Sequence, residues 1–240
     1  IAIPIDTGYL TAVPGSTLRL SRANDIGGVT VNSGRLVSAA AGALGQGTIT
    51  IDGGRLAFEG ESQTYDQAIR LPQLVWAITN PAGTSTRVFS AGAAIEVAGG
   101  ITATLNGAFD GAVNLTKLGT GRLVLNATQA ADAFAISASA GTLEVNGNIS
   151  RSAQTHGLFD LAGGTVAGTG SFDGAIRASV SPGSNDGIGK LTARSFSVFG
   201  APLTLSFDIA GVAVGSEYDQ FVVLENAILS RPGDSPPTSR

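Results

Sequence analysis

Apolar residues stand two apart along most of this chain, the spacing that puts side chains on one face of an extended strand. Leu18 and Leu20, Val29 and Val31, Ile49 and Ile51, Ile95 and Val97, Leu123 and Leu125, and Leu143 and Val145 all follow it. Each pair predicts a short strand with one buried face. The longest such run is Leu203, Leu205, Phe207 and Ile209, separated by Thr204, Ser206 and Asp208. Steps such as Ser33-Gly34, Asp52-Gly53, Asn106-Gly107 and Asn146-Gly147 close the strands, because Gly and Asn tolerate the positive φ of a turn.

The pattern repeats. Thr30-Val31-Asn32-Ser33-Gly34-Arg35-Leu36-Val37 returns twenty positions later as Thr50-Ile51-Asp52-Gly53-Gly54-Arg55-Leu56-Ala57. Gly121-Arg122-Leu123-Val124-Leu125-Asn126 returns after the same interval as Gly141-Thr142-Leu143-Glu144-Val145-Asn146. Looser copies begin at Gly15, Gly164 and Gly189. An antiparallel meander would halve this period, since each strand would find its partner about ten residues away. A coil stacked on itself fits better, with like residues in columns. The fold expected is all-β, a single-stranded parallel β-helix (solenoid) of about 20–25 residues per coil over residues 1–229. About eleven coils would give a rod of roughly 50 Å. Gly34, Leu36, Gly54, Leu56, Gly121, Leu123, Gly141 and Leu143 are its repeat positions, with Leu36 over Leu56 and Leu123 over Leu143 filling the interior.

Between Glu61 and Ala91 the repeat fades, and coils there are inferred from length alone. A short helix at Asp66 to Leu71, ended by Pro72, is expected in this stretch. Leu74-Val75-Trp76-Ala77-Ile78 carries the single Trp. Trp76 is read as a buried anchor, with an exposed binding aromatic as the lesser role.

Composition supports this picture. The 240 residues include 34 Gly, no Cys and no Met, with 13% charged residues and a net charge of −4. So much Gly disfavours helices, at about 1 kcal/mol relative to Ala in each helix interior. Without Cys there is no disulfide framework or thiolate site. No run of about eighteen apolar residues occurs, so no membrane-spanning helix is expected. The acidic balance argues against nucleic acid as a partner. The segment 230–240, Ser-Arg-Pro-Gly-Asp-Ser-Pro-Pro-Thr-Ser-Arg, reads as a linker or tail.

Asn114-Leu115-Thr116-Lys117-Leu118-Gly119-Thr120-Gly121-Arg122-Leu123-Val124-Leu125, continued by Ala140-Gly141-Thr142-Leu143-Glu144-Val145, resembles the autotransporter-associated β-strand repeat of type V secreted passenger domains. Ser181-Pro182-Gly183, Gly189-Lys190-Leu191-Thr192 and Gly215 to Val223 resemble a stretch common late in such passengers, and Ala43 to Ile49 resembles the link between their coils. The resemblance runs from about Gly27 to Leu229. It implies a right-handed β-helix, export across the outer membrane, an extracellular or cell-surface location and a translocating β-barrel in a longer parent. It implies no single activity, since one scaffold carries many functions. Lack of cysteine accords with export, because a disulfide formed early would obstruct threading of the chain.

No catalytic constellation stands out along the chain. His156 is the single histidine, in Gln154-Thr155-His156-Gly157, and it joins no triad signature. The twelve Asp and six Glu are spread along the chain, mostly beside Gly, rather than paired as in a glycosidase. Gly163 to Gly168 lacks the Asp of the calcium nonapeptide, and Gly119-Thr120-Gly121-Arg122 lacks the Lys-Ser or Lys-Thr of a phosphate loop. No catalytic residue, metal site or cofactor is assigned. Arg35, Arg55, Arg122 and Lys190 each follow the repeat glycine. Stacked arginines repel unless they splay into water, so a solvated ladder is expected there, with a sulfated-glycan site as the alternative. Tyr65-Asp66-Gln67 and Tyr218-Asp219-Gln220 repeat a tripeptide. Tyr218 is expected to pack on the terminal coil or, less favourably, to serve as a sugar platform. Arg35, Arg55, Trp76 and Tyr218 are the ligand-binding candidates. The function expected is a non-catalytic stalk or adhesin segment, meeting a host or neighbouring-cell surface molecule or glycan. The alternatives are a polysaccharide-active β-helix enzyme and a self-associating filament subunit.

Overall fold

A computed structural model describes residues 9–72, 74–80, 83–89, 92–111, 114–131, 135–151, 160–185, 187–198, 203–213 and 216–229. Its regular structure is entirely β, in 23 strands, with no helix among the described residues. Strand pairs are parallel throughout, apart from a single hairpin.

The sequence repeat becomes the stacking register. Val29 lies opposite Ile49, Thr30 opposite Thr50 and Val31 opposite Ile51; Leu36 lies opposite Leu56, and Leu123 opposite Leu143. Alternation decides which residues face inward, and the inward columns are fully buried: Ile49 over Ile69, Leu36 over Leu56 and Leu123 over Leu143 are each 0% exposed. Burying an aliphatic side chain of this size is worth about 1.5–3 kcal/mol, so every added layer extends the core.

The strands fall into three series around that core. One holds Tyr9–Ala12, Gly28–Asn32, Thr48–Asp52, Ile69–Arg70 and Phe109–Asp110, in that order, as a five-stranded sheet. A second begins Thr17–Leu20, Arg35–Ser38, Arg55–Phe58, Ala93–Val97, Asn114–Leu118 and Ala135–Ala138. The third holds Gln63–Tyr65, Thr102–Leu105, Arg122–Leu125 and Thr142–Val145. Toward the C-terminal end the chain passes from one series to the next within single long strands, Asp160–Gly168, Ser171–Pro182, Lys190–Val198 and Gln220–Leu229. Register shifts mark the bends, between Ala162 and Thr165, Phe172 and Ala175, and Ala193 and Ser195. The second series continues through these four strands. It therefore has ten layers, about 43 Å tall at ~4.8 Å per step.

Three expectations need correction. The segment expected as a helix at Asp66 to Leu71 contains the strand Ile69–Arg70, because Ile69 stacks between Ile49 and Phe109 in the core. Columnar burial outweighs the weak helical preference of six residues. The fading repeat after Glu61 holds two regular coil strands, Gln63–Tyr65 and Ile69–Arg70, and then an insertion. Arg55 pairs directly with Ala94, and after those two strands the intervening chain adds an antiparallel hairpin, Leu74–Asn80 with Gly83–Phe89. Finally, Leu203 to Ile209 is not a half-buried strand. Leu205 and Ile209 make only isolated bridges, to Val180 and Tyr218, and Leu205, Phe207 and Ile209 are 43%, 43% and 79% exposed. This segment is the last layer on its side, so no described strand covers it.

Polar columns line one corner. Asn106 donates to Asp66 at 2.6 Å, Asn126 to Asn106 at 2.7 Å, and Asn146 to Asn126 at 3.0 Å. Each amide is both donor and acceptor, which fixes the layers in register. At another corner Gly119 has a φ of +75°, and a Cβ there would sit 2.2 Å from the Val97 carbonyl oxygen. That oxygen already accepts from the Gly121 amide at 3.0 Å. Gly119→Ala is therefore expected to cost about 2–3 kcal/mol, from the left-handed backbone and the clash together. A urea unfolding midpoint unchanged from that of the parent protein would refute this.

Candidate functional site

The two candidate arginines come together on the outer surface. Arg35 and Arg55 are direct neighbours in the stack. They do not splay into water. The Glu59 carboxylate, at the end of one strand, accepts from Arg35 at 2.7 Å and also pairs with Arg19. Glu96 bridges Arg35 at 3.5 Å and Arg55 at 3.3 Å. Interleaved carboxylates thus replace repulsion with a ladder of opposite charges. The hydrogen bond from Arg35 is the chief cause holding the Glu59 carboxyl below the usual range, and its counterpart raises the Arg35 guanidinium.

A shallow groove of about 300 Å³ lies beside this ladder, lined by Ser33, Gly34, Arg35, Gly54, Arg55 and Ala94 among others. Both guanidinium groups are already engaged by carboxylates, which weakens the sulfated-glycan reading. The ion pairs are partly exposed, Arg55 at 47% and Glu96 at 29%, so they add little stability. Glu96→Gln is expected to lower the unfolding free energy by only about 0.5 kcal/mol. Measured again in molar salt, that difference should vanish through screening; its persistence would contradict the assignment.

The glycine-proximal cations do not share one column. Arg35 and Arg55 align with Thr17 and Ala94. Arg122 stands between Thr102 and Thr142, and Lys190 lies opposite Gln220. The same local unit serves different sides of the stack once the hairpin has been inserted. Of the other candidates, Trp76 lies in the hairpin opposite Arg87. Its side chain, like His156 and the 230–240 tail, is outside the described residues. Tyr218 is half-buried and joins Ile209 through one bridge. Its neighbour Asp219 carries the structural role, accepting from the Gly189 amide at 2.8 Å and the Asp208 amide at 2.9 Å. The buried tyrosine is the earlier one. Tyr65 is 3% exposed, and its hydroxyl meets Ser38 Oγ at 2.8 Å beside Gln63. Burial raises its phenol above the ordinary value.

Two buried charged residues escaped the reading of the sequence. Lys117 occupies a core column between Ile95 and Ala138 and is 0% exposed. Its ammonium donates to the carbonyls of Gly119 at 2.6 Å and Ala140 at 2.8 Å, closing the corners of two successive layers. Burial lowers its pKa to about 8. The signal was present, since Lys117 follows Leu115 by two and so shares its inward face. Glu144 points outward but is 2% exposed. Its oxygens accept from Ser184 Oγ and Arg122 at 2.6 Å, Asn146 at 2.7 Å and the Asn185 amide at 3.1 Å. Burial raises this carboxyl, and the four hydrogen bonds outweigh that and hold it below the usual range. A carboxylate so fully satisfied, and stabilised in its charged form, is suited to fastening the Ser184–Asn185 loop rather than to moving protons.

Among the described residues no group of three His, Cys, Asp or Glu side chains is placed to hold a metal ion, and no helix is long and apolar enough to cross a membrane. Comparison with protein-family models, with curated proteins and with solved structures returns no match for this chain.

Proposed function

We propose that this chain is a right-handed, single-stranded parallel β-helix that serves as a non-catalytic rod, a stalk or adhesin segment of an exported autotransporter-like passenger. The observation that carries the reading is the self-pairing of one chain through ten parallel layers, most of them about twenty residues apart. Such a stack supplies length and stiffness from local contacts alone. In this reading Lys117 and Gly119 of the passenger-like repeat hold the corners of adjacent layers, which gives that motif a mechanical purpose. The protein stands outside the cell or on its surface, a translocating β-barrel belongs to a longer parent, and a neighbouring-cell molecule or glycan is the partner. Small-angle scattering should give a monodisperse, elongated particle; a spherical one would overturn the rod. Fused ahead of a β-barrel translocator, the chain should become accessible to protease added outside the cell. Retention inside would overturn export.

End-on self-association is a second reading, favoured by one feature. Among the described residues the strand Gln220–Leu229 pairs on one side alone, and its Leu224 and Leu229 are 67% and 72% exposed. An open parallel edge of this kind templates further strands. Scattering mass that grows with concentration would support it, and a constant mass would remove it.

A further inference from the structure

The outer face of the five-stranded sheet differs from the arginine ladder in one respect. Thr30, Thr50, Arg70 and Asp110 follow one another in register along a single column. Their chain neighbours Val29, Ile49, Ile69 and Phe109 are buried in the core, so alternation turns this column outward. Beside it runs a column of small residues, in which Gly28 pairs with Thr48 and Ala68 precedes Ile69. A trough of about 380 Å³ lies along these two columns, lined by Thr30, Thr48, Thr50, Ala68, Arg70 and Asp110 among others. That volume lies within the range of small-ligand sites.

Arg70 and Asp110 stand directly opposite each other and both are exposed. Yet neither takes part in an ion pair among the described residues, whereas Arg19, Arg35, Arg55, Arg122 and Arg194 each do. A guanidinium and a carboxylate therefore remain available at one end of a row of hydroxyl groups. We propose that this trough binds an extended acidic oligosaccharide lying along the axis of the stack. Arg70 would take a uronate carboxylate through its planar fork. Asp110 would accept sugar hydroxyls, and the threonines would donate to and accept from successive units.

The chemistry narrows the ligand. Polar groups recur along the trough at ~4.8 Å, one per layer, so a partner using several of them must be straight and hydroxylated at every unit. A peptide strand would seek a sheet edge, because the main-chain groups of this face are already paired. A polyphosphate has no hydroxyl to donate to the Asp110 carboxylate, which a sugar unit supplies. The inference goes beyond the rod reading and requires neither export nor a particular hand of the coil.

The test is calorimetric titration of the whole chain with hexamers of galacturonate, mannuronate and glucuronate-containing disaccharide units, with cellohexaose as the neutral comparator. At least one acidic hexamer should bind saturably and more tightly than cellohexaose. Binding should fall at least tenfold in Arg70→Gln and in Asp110→Asn, both exposed changes whose folding circular dichroism can verify. Arg194→Gln, in the strand Lys190–Val198 and away from the trough, should leave it unchanged. No binding of any acidic hexamer, equal binding of cellohexaose, or binding indifferent to both trough substitutions would overturn the proposal. Scattering reads the rod separately, so failure here leaves that reading standing.

Discussion

Lys117→Met should lower the unfolding free energy by about 3 kcal/mol, although methionine matches lysine in length and suits a core. The loss comes from the carbonyls of Gly119 and Ala140, which accept from Nζ at 2.6 and 2.8 Å and would be left buried without a donor, at about 1–3 kcal/mol each. Removal of a desolvated charge offsets part of that cost. The same ammonium gives a pH signature. Its pKa falls from 10.5 to about 8 on folding, so between those values the unfolded chain holds a proton that the folded chain has released. Stability must then rise with pH through this window, by an amount of order 3 kcal/mol for the full shift. Above about pH 10 the raised phenol of Tyr65 acts in the opposite sense, because the unfolded tyrosine ionises first. Subtracting the urea unfolding profile of Lys117→Met from that of the parent protein isolates the lysine. A difference independent of pH from 7 to 10 would show that Lys117 is not desolvated as described.

Glu144→Ala should be the most damaging single substitution at the molecular surface, at about 3–5 kcal/mol, the usual cost of breaking a buried ion pair by removing one member. Arg122 would lose its 2.6 Å partner, and Ser184, Asn146 and the Asn185 amide would lose an acceptor together. The Ser184–Asn185 loop should become the first site of proteolytic nicking. Glu144→Gln separates charge from shape. Folding lowers the carboxyl below its ordinary value, so its contribution is present at neutral pH and is lost as pH falls through the folded value. The parent protein should therefore lose stability on acidification more steeply than Glu144→Gln. Parallel acid-unfolding curves, followed by far-ultraviolet circular dichroism, would exclude the charged role of Glu144. Glu59 adds in the same direction, but its ion pairs are exposed and its share is small.

The contrast between these residues shows where the sequence was readable. Leu36 over Leu56 and Leu123 over Leu143 could be paired from their spacing, because stacking repeats a local pattern without alteration. The Asn126 and Asn146 column obeyed the same rule, and its polar character agrees with a corner. Lys117 obeyed the alternation too, but a charged residue at an inward position reads as an exception until the carbonyls that satisfy it are seen. The trough was hidden for a similar reason. Thr30 and Thr50 could be aligned by eye, whereas Arg70 and Asp110, forty residues apart, become neighbours only because the hairpin is bypassed.

What the sequence determined by itself was the strand, its inward face and the interval of about twenty residues at which the chain meets itself. Those follow from side-chain alternation and glycine placement, both local properties. The tertiary structure decided the rest: which glycine units share a column, how Glu59 and Glu96 interleave with the arginines, why Glu144 is buried although it points outward, and where Arg70 faces Asp110. Each depends on residues twenty or more apart in the chain, and the pairings of Arg55 with Ala94 and of Arg70 with Asp110 also span the hairpin. No local pattern encodes such pairings, because the pairing energy of a layer is the same whichever unit of the repeat supplies it.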